Sequence, residues 1–90
     1  MDKFAQEVQA MHYRYQGMLD APHEPLAQSI HKHFDNLKLE VNQHRNPLTI
    51  RDHLKRMRED VHTAADKHIV NYGEAATLKA WIEHSMNNFK

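Results

Sequence analysis

Apolar residues recur along the whole chain at alternating steps of three and four, the spacing that collects them on one face of a helix. Glycine and proline, which interrupt helices, occur only at residues 17, 22, 25, 47 and 73, so they separate long segments with this period. In the first segment, the pattern predicts a helix from about Asp2 to Gly17 or Leu19. Its apolar stripe consists of Phe4, Val8, Met11, Tyr15 and Met18.

The segment from Asp20 to Pro25 cannot lie in the interior of one helix, because proline has no N–H to donate to the preceding turn. We predict a turn there, with Pro25 in the first turn of a second helix. That helix should end between Gln43 and Arg45. Its apolar stripe consists of Leu26, Ile30, Phe34, Leu37 and Val41.

A third helix can begin in two ways. Either Asn46 caps it and Pro47 occupies the first turn, or Thr49 caps it and Asp52 completes a capping-box-like pair. Both starts are followed by the same apolar stripe. It consists of Ile50, Leu54, Met57, Val61, Ala64 and His68.

The third helix is predicted to end near Tyr72, with Gly73 in the left-handed conformation that ends many helices. At about 23 residues it would be the longest helix, and His68 would lie on its buried face. A neutral, buried His68 would make the protein less stable as the pH falls, because burial disfavours the charged imidazole.

A fourth, shorter helix follows, with Leu78, Trp81, Ile82, Met86 and Phe89 on one broad apolar face. No strand-like alternation competes with these helices, and short connections favour antiparallel neighbours. We therefore predict a single all-α domain spanning residues 1–90. It is a small up-and-down bundle of three long helices, with the C-terminal helix packed alongside or across them, and dimerisation through the same stripes is an alternative way to complete the core.

The composition narrows the class of protein. Twelve basic and twelve acidic residues cancel, so no overall field draws the chain to nucleic acid or to a membrane surface. The lack of cysteine excludes disulfides and thiolate catalysis, and no apolar segment reaches the length of a membrane span or a signal peptide. We expect a soluble cytoplasmic protein that does not contact a membrane, and a homodimer because a 90-residue chain buries only a modest core.

A local excess of positive charge lies at the start of the third helix. Residues 44–58 contain five basic residues against one acid, a balance of +4. Four side chains spaced i, i+4, i+7 and i+11 lie about 80 to 140° from Ile50 around the helix axis, beside the buried face. This basic row consists of Arg51, Lys55, Arg58 and His62, and with Arg45 it forms the candidate partner-binding or anion-binding site.

The same face also admits ordinary local pairing. Lys55 with Glu59, and Asp52 with Arg56, have the i,i+4 spacing at which opposite charges on a helix attract weakly. If these pairs form, part of the row is a solvated surface with little left for a partner.

Nine histidines raise the question of a metal site. Glu59 and His62 have the spacing of ligands in carboxylate-bridged metal bundles, but Glu59 lies about 180° from the buried stripe and points to water. We therefore expect no metal and no cofactor there. Convergence of His68 with His12, His33 and His44 would instead hold zinc, and the alternative is a set of separately hydrogen-bonded imidazoles.

No nucleophile elbow, phosphate loop or zinc-protease motif is present, so we expect no enzyme and no catalytic residue. The sequence favours a non-enzymatic interaction or regulatory module, a homodimer that binds a protein partner with an acidic surface through helix faces. Three apolar residues off the stripes, Tyr13, Leu39 and Val70, are predicted to be exposed and to extend such a contact. One alternative is nucleic-acid binding by the basic row, and the other is a histidine-rich bundle that binds metal or responds to pH.

Overall fold

A computed structural model describes residues 3–43 and 45–89 of the chain. These residues form α1 (Lys3–Gln16), α2 (Pro25–Gln43), α3 (Pro47–Asp66) and α4 (Tyr72–Asn87), and they contain no strand. Consecutive helices pack against each other, which confirms the predicted all-α up-and-down bundle. With 16 residues, α4 is shorter than α2 and α3 but longer than α1, which has 14.

The predicted stripes meet in one core. Val8, Ile30, Phe34, Leu54 and Leu78 are completely buried, and each comes from the face that the periodicity assigned to it. Burial of these faces is the main source of stability in a bundle of this size, because isolated helices of this length are marginal in water.

The predicted start of α2 is confirmed, and one of the two alternative starts predicted for α3 is observed. Pro25 is the first residue of α2, a position at which a backbone N–H would have no acceptor within the helix. Asn46, rather than Thr49, caps α3, because its side-chain oxygen accepts from the N–H groups of Leu48 at 3.0 Å and of Thr49 at 3.3 Å.

The predicted end of α3 is wrong. The helix stops at Asp66, and His68 is exposed, with a left-handed φ of 59°. The N–H of Ile69 donates to the carbonyl of Ala64 at 2.8 Å, and that of His68 to Ala65 at 3.1 Å, which together form a Schellman motif. Gly73, predicted to be the left-handed residue, instead lies in the first turn of α4.

Burial of the two residues after His68 explains this early end. Ile69 and Val70 turn into the core, although Val70 was predicted to be exposed. Val70 forms an isolated antiparallel bridge with Leu19, and the N–H of Asn71 donates to the carbonyl of Met18 at 2.8 Å. The α3–α4 connection is thereby held against the end of α1, and this gain exceeds the strain of a left-handed histidine.

Two other exposure predictions are confirmed, because Tyr13 and Leu39 both lie at the surface. Within the described part of the chain, no helix combines the length and the apolar character that a membrane span requires.

His68→Gly should raise the free energy of unfolding by about 0.5 to 1 kcal/mol, because glycine adopts a positive φ without the Cβ strain of histidine. The measurement is urea unfolding followed by circular dichroism. His84→Gly, which places glycine inside α4, should lower the same free energy by a similar amount. A loss of stability in His68→Gly would contradict the left-handed conformation.

Candidate functional site

The basic row lies along one side of α3 at the protein surface. Arg51, Lys55 and His62 are exposed and Arg58 is half-buried, as the helical angles predict for positions beside the buried stripe. Arg51, Lys55 and Arg58 form no ion pair with any carboxylate in residues 3–43 and 45–89. Three successive cations therefore remain available to a partner.

The predicted local pairing forms only in part. The Nε atom of Arg56 lies 3.0 Å from the Asp52 carboxylate, and both side chains are exposed. The other predicted pair, Lys55 with Glu59, does not form. The paired charges lie on a neighbouring side of α3, so the row keeps its positive charge.

Arg45 lies apart from this row, in the connection between α2 and α3. Its backbone has a left-handed φ of 52°, and its N–H donates to the Glu40 carbonyl at 2.7 Å. It thus belongs to the end of α2 rather than to the face of α3. Its neighbour His44 lies outside the described residues.

A groove of about 420 Å³ lies between α3 and α4, beside the C-terminal half of the basic row. We call it the α3–α4 groove, and it is lined by Arg58, Glu59, His62, Thr63, Lys79 and Glu83. Two residues of the basic row, Arg58 and His62, therefore share this groove with residues of α4. The lining contains both cations and carboxylates.

Lys79 and His62 are joined across the groove. The ammonium of Lys79 has only protons to donate, so it donates to Nδ1 of His62 at 3.1 Å. In the neutral imidazole the remaining proton is then on Nε2, which faces the Asp66 carboxylate at 3.5 Å. Both His62 and Asp66 are largely exposed, so this chain orients the ring more than it stabilises the fold.

The sequence pattern did not indicate three of the groove residues, Thr63, Glu83 and Lys79. Lys79 is the one that contacts His62. It follows Leu78, which is completely buried, and so lies at the edge of the α4 core face. The contact of Lys79 with His62 depends on the antiparallel alignment of α3 with α4. Predicting that alignment requires the true end of α3, which is Asp66, whereas the periodicity placed the end near Tyr72.

A second polar cluster connects α2 with α3. The Asp60 carboxylate accepts from the hydroxyl of Ser29 at 3.1 Å, and one of its oxygens lies 2.7 Å from Nε2 of His33. Serine, histidine and aspartate here do not form a catalytic relay, because in a relay the histidine lies between the other two. Here the aspartate is central and no imidazole among the described residues contacts the serine hydroxyl; the shared carboxylate links α2 to α3, and we call this cluster the α2–α3 clamp.

Of the histidines proposed as a zinc site, the three that the structure describes do not converge. His68 is exposed in the α3–α4 connection, His33 contacts Asp60, and His12 contacts His31 and Lys38. The described residues contain no group of three or more histidine, aspartate or glutamate side chains placed to hold a metal ion. Glu59 and His62 are both exposed, as the helical angles predict.

Comparison with known proteins gives no relative: the chain matches no protein-family model, and neither a curated protein nor a solved structure is detectably similar to it.

Proposed function

We propose that this protein is a non-enzymatic interaction module of the cytoplasm that binds an acidic protein segment along the basic row of α3. The observation that carries the proposal is the row of three cations, Arg51, Lys55 and Arg58, without a described carboxylate partner. Such a row raises the encounter rate with an acidic partner and fixes its orientation.

The spacing of the row defines the partner. Arg51, Lys55 and Arg58 follow the helical steps i, i+4 and i+7 and extend over about 10 Å of α3. An acidic helix with carboxylates at the same steps presents a row of matching length. A helical partner laid against α3 would therefore meet each cation with one carboxylate.

Charge alone gives little affinity, because an exposed ion pair contributes only about 0.2 to 1 kcal/mol. Leu48, in the first turn of α3, adds apolar area: it is 74% exposed and lies about 160° from Ile50, close to the angle of Lys55. The α3–α4 groove adds a concave surface at the other end of the row. The partner helix is thus expected to carry apolar side chains beside its carboxylates.

A protein partner fits this surface better than nucleic acid does. Glu59 and Glu83 line the groove together with Arg58 and Lys79, and Asp66 lies next to His62. These carboxylates would repel a continuous chain of phosphates, whereas an acidic protein segment can place neutral or basic side chains opposite them.

We further propose that the protein is a homodimer. Tyr13 and Tyr72 are exposed and are close in sequence to Arg14 and Glu74, whose side chains form an ion pair of 3.5 Å between α1 and α4. Both tyrosines therefore lie near the end of the bundle where these helices meet, and their exposed rings offer apolar area for a second copy.

The test of partner binding uses a fluorescent helical peptide of about 20 residues with glutamate and leucine at heptad spacing. The triple variant Arg51→Glu, Lys55→Glu and Arg58→Glu should bind it at least about tenfold more weakly than the unaltered protein, because three attractive pairs become repulsive. Fluorescence anisotropy at low and high salt measures the affinity.

The test of the homodimer is sedimentation equilibrium of the unaltered protein without peptide. A homodimer has a mass of about twice 10.7 kDa, and a mass of 10.7 kDa would contradict the proposal.

The matched control makes the same change in net charge elsewhere. Lys3→Glu, Lys32→Glu and Lys67→Glu replace three exposed lysines outside the row, and this variant should bind the peptide almost as the unaltered protein does. An equal loss in both triple variants would show that only net charge matters. Tighter binding of a labelled DNA or RNA strand than of the peptide would support nucleic-acid recognition instead.

A further inference from the structure

A pair of histidines joins α1 to α2 on a part of the bundle that the proposed function does not use. Nε2 of His12 lies 2.9 Å from Nδ1 of His31, and Nδ1 of His12 lies 2.6 Å from the ammonium of Lys38. The His12 ring also stacks on Phe34, with the ring centres 4.7 Å apart and the planes within 3°. His12 is therefore fixed on both edges and on one face.

The donors and acceptors in this group determine where the protons are. The ammonium of Lys38 can only donate, so Nδ1 of His12 must accept and Nε2 of His12 must carry the proton. That proton is donated to Nδ1 of His31, which must therefore also accept. The arrangement requires both imidazoles to be neutral, because a proton added to either Nδ1 would face another donor.

The surroundings of His12 also favour its neutral form. Burial, followed by the nearby charges of Lys38 and His31, lowers the pKa of His12, and only Asp35 opposes this. All three of these charged or titratable groups lie on α2. From α4, the Trp81 ring lies 6.4 Å from that of Phe34. Burial and the Asp60 carboxylate of α3 raise the pKa of Tyr15, whose ring lies against His31.

Helix α1 is the element that protonation of the histidine pair can release from the bundle. It buries only Val8 and Tyr15 completely, whereas each of the other helices buries five or six residues. A pocket of about 210 Å³ lies between α1 and α2, and Lys38 is part of its lining. Elements with little buried area open first, at a lower free energy than the whole domain.

We propose that the His12–His31–Lys38 group is a pH-sensitive latch: α1 docks on α2 while both imidazoles are neutral, and acid releases it. Other contacts also hold α1 to the bundle, among them a hydrogen bond from the Tyr15 hydroxyl to the Ala27 carbonyl, the stacking of Phe4 on Trp81, a hydrogen bond from Trp81 to Glu7, and the exposed ion pair of Arg14 with Glu74.

The direction of the pH effect follows from the lowered pKa of His12. The folded state holds the proton less tightly than the unfolded state, whose pKa is about 6.5. The latch therefore contributes its full stability above about pH 6.5 and loses it as the pH falls from there toward the lower folded pKa. Within that window, the opening equilibrium constant should rise by at most about tenfold per pH unit for the single proton that His12 gains.

The experiment follows α1 directly. Hydrogen exchange read by mass spectrometry at pH 7.5 and pH 5.5, corrected for the intrinsic rate, should show protection falling in α1 while α3 stays protected. Fluorescence of Trp81, the only tryptophan, reports the same opening, because its ring contacts Phe4 and its N–H donates to Glu7 at 3.0 Å. Equal loss of protection in all four helices, or none in α1, would overturn the latch.

Variants assign the effect to the histidine pair. His12→Gln keeps an acceptor for Lys38 and a donor for His31 but does not titrate, so it should lose most of the pH dependence, whereas the exposed His84→Gln should keep it. If His12→Gln does not fold, Lys38→Met serves instead, because without the ammonium the His12 pKa is lowered less and the acid effect shrinks. An unchanged pH dependence in these latch variants would refute the proposal.

Discussion

Phe34→Ala should lower the free energy of unfolding by about 3 to 5 kcal/mol, the largest effect that we expect from one substitution in this chain. Phe34 is completely buried and its ring connects three helices: it stacks on His12 of α1, lies 5.6 Å from Tyr15, and lies 6.4 Å from Trp81 of α4. Its removal leaves a cavity and also takes away the surface on which the histidine pair rests. In a domain this small, such a loss is a large share of the total stability.

Urea unfolding followed by circular dichroism measures this loss, and α2 supplies the matched control. Leu39 is 52% exposed, so Leu39→Ala removes an apolar side chain from the same helix with an expected change within about 0.5 kcal/mol. If the two variants lost similar stability, the assignment of Phe34 to the centre of the core would be wrong.

Asp60→Ala is expected to cost about 1 to 3 kcal/mol, the second largest effect, because it leaves the donors of Ser29 and His33 without a partner. The side chains of His33 and Asp60 are only 16% and 29% exposed, so water replaces the lost carboxylate poorly. Asp60→Asn, which keeps one acceptor oxygen in place, should recover part of the loss.

Asp52 provides the control for this prediction, since it is also on α3 and its carboxylate also lies about 3 Å from its partner, at 3.0 Å from Arg56. Both side chains of that pair are more than half exposed, and Asp52→Ala should change stability by no more than about 0.5 kcal/mol. Equal losses in the two alanine variants would mean that the α2–α3 clamp contributes no more than a surface ion pair.

The histidines separate into different environments once the helices are packed. His62 is exposed in the proposed binding groove, whereas His12 and His31 are partly buried between α1 and α2. The peptide-binding proposal and the latch proposal therefore concern different helix pairs and can fail independently. Charge reversal of the basic row should leave the pH dependence of α1 intact, and His12→Gln should leave peptide binding intact at pH 7.5.

Local patterns in the sequence were sufficient for the number of helices, for most of their buried faces and for the exposed row, but not for the end of α3. The steps of three and four predicted the faces that carry Val8, Ile30, Phe34 and Leu54, because one side of each helix must leave water. Asn46 followed by proline was one of the two predicted starts of α3, and it is the one that forms, since a cap acts within one turn. Those features depend on neighbours at most four residues away, and the sequence presents such neighbours directly.

Contacts between distant residues were decided only by the tertiary structure. His68 is left-handed because Ile69 and Val70 pack against the end of α1, and a helical period cannot reveal that gain. The pairing of His12 with His31, and of His62 with Lys79, depends on the register between helices. The sequence by itself determined which faces are buried and where the positive row lies. The packing of one helix against another determined which histidines meet, because a register is set by the fit of whole faces and not by any local spacing.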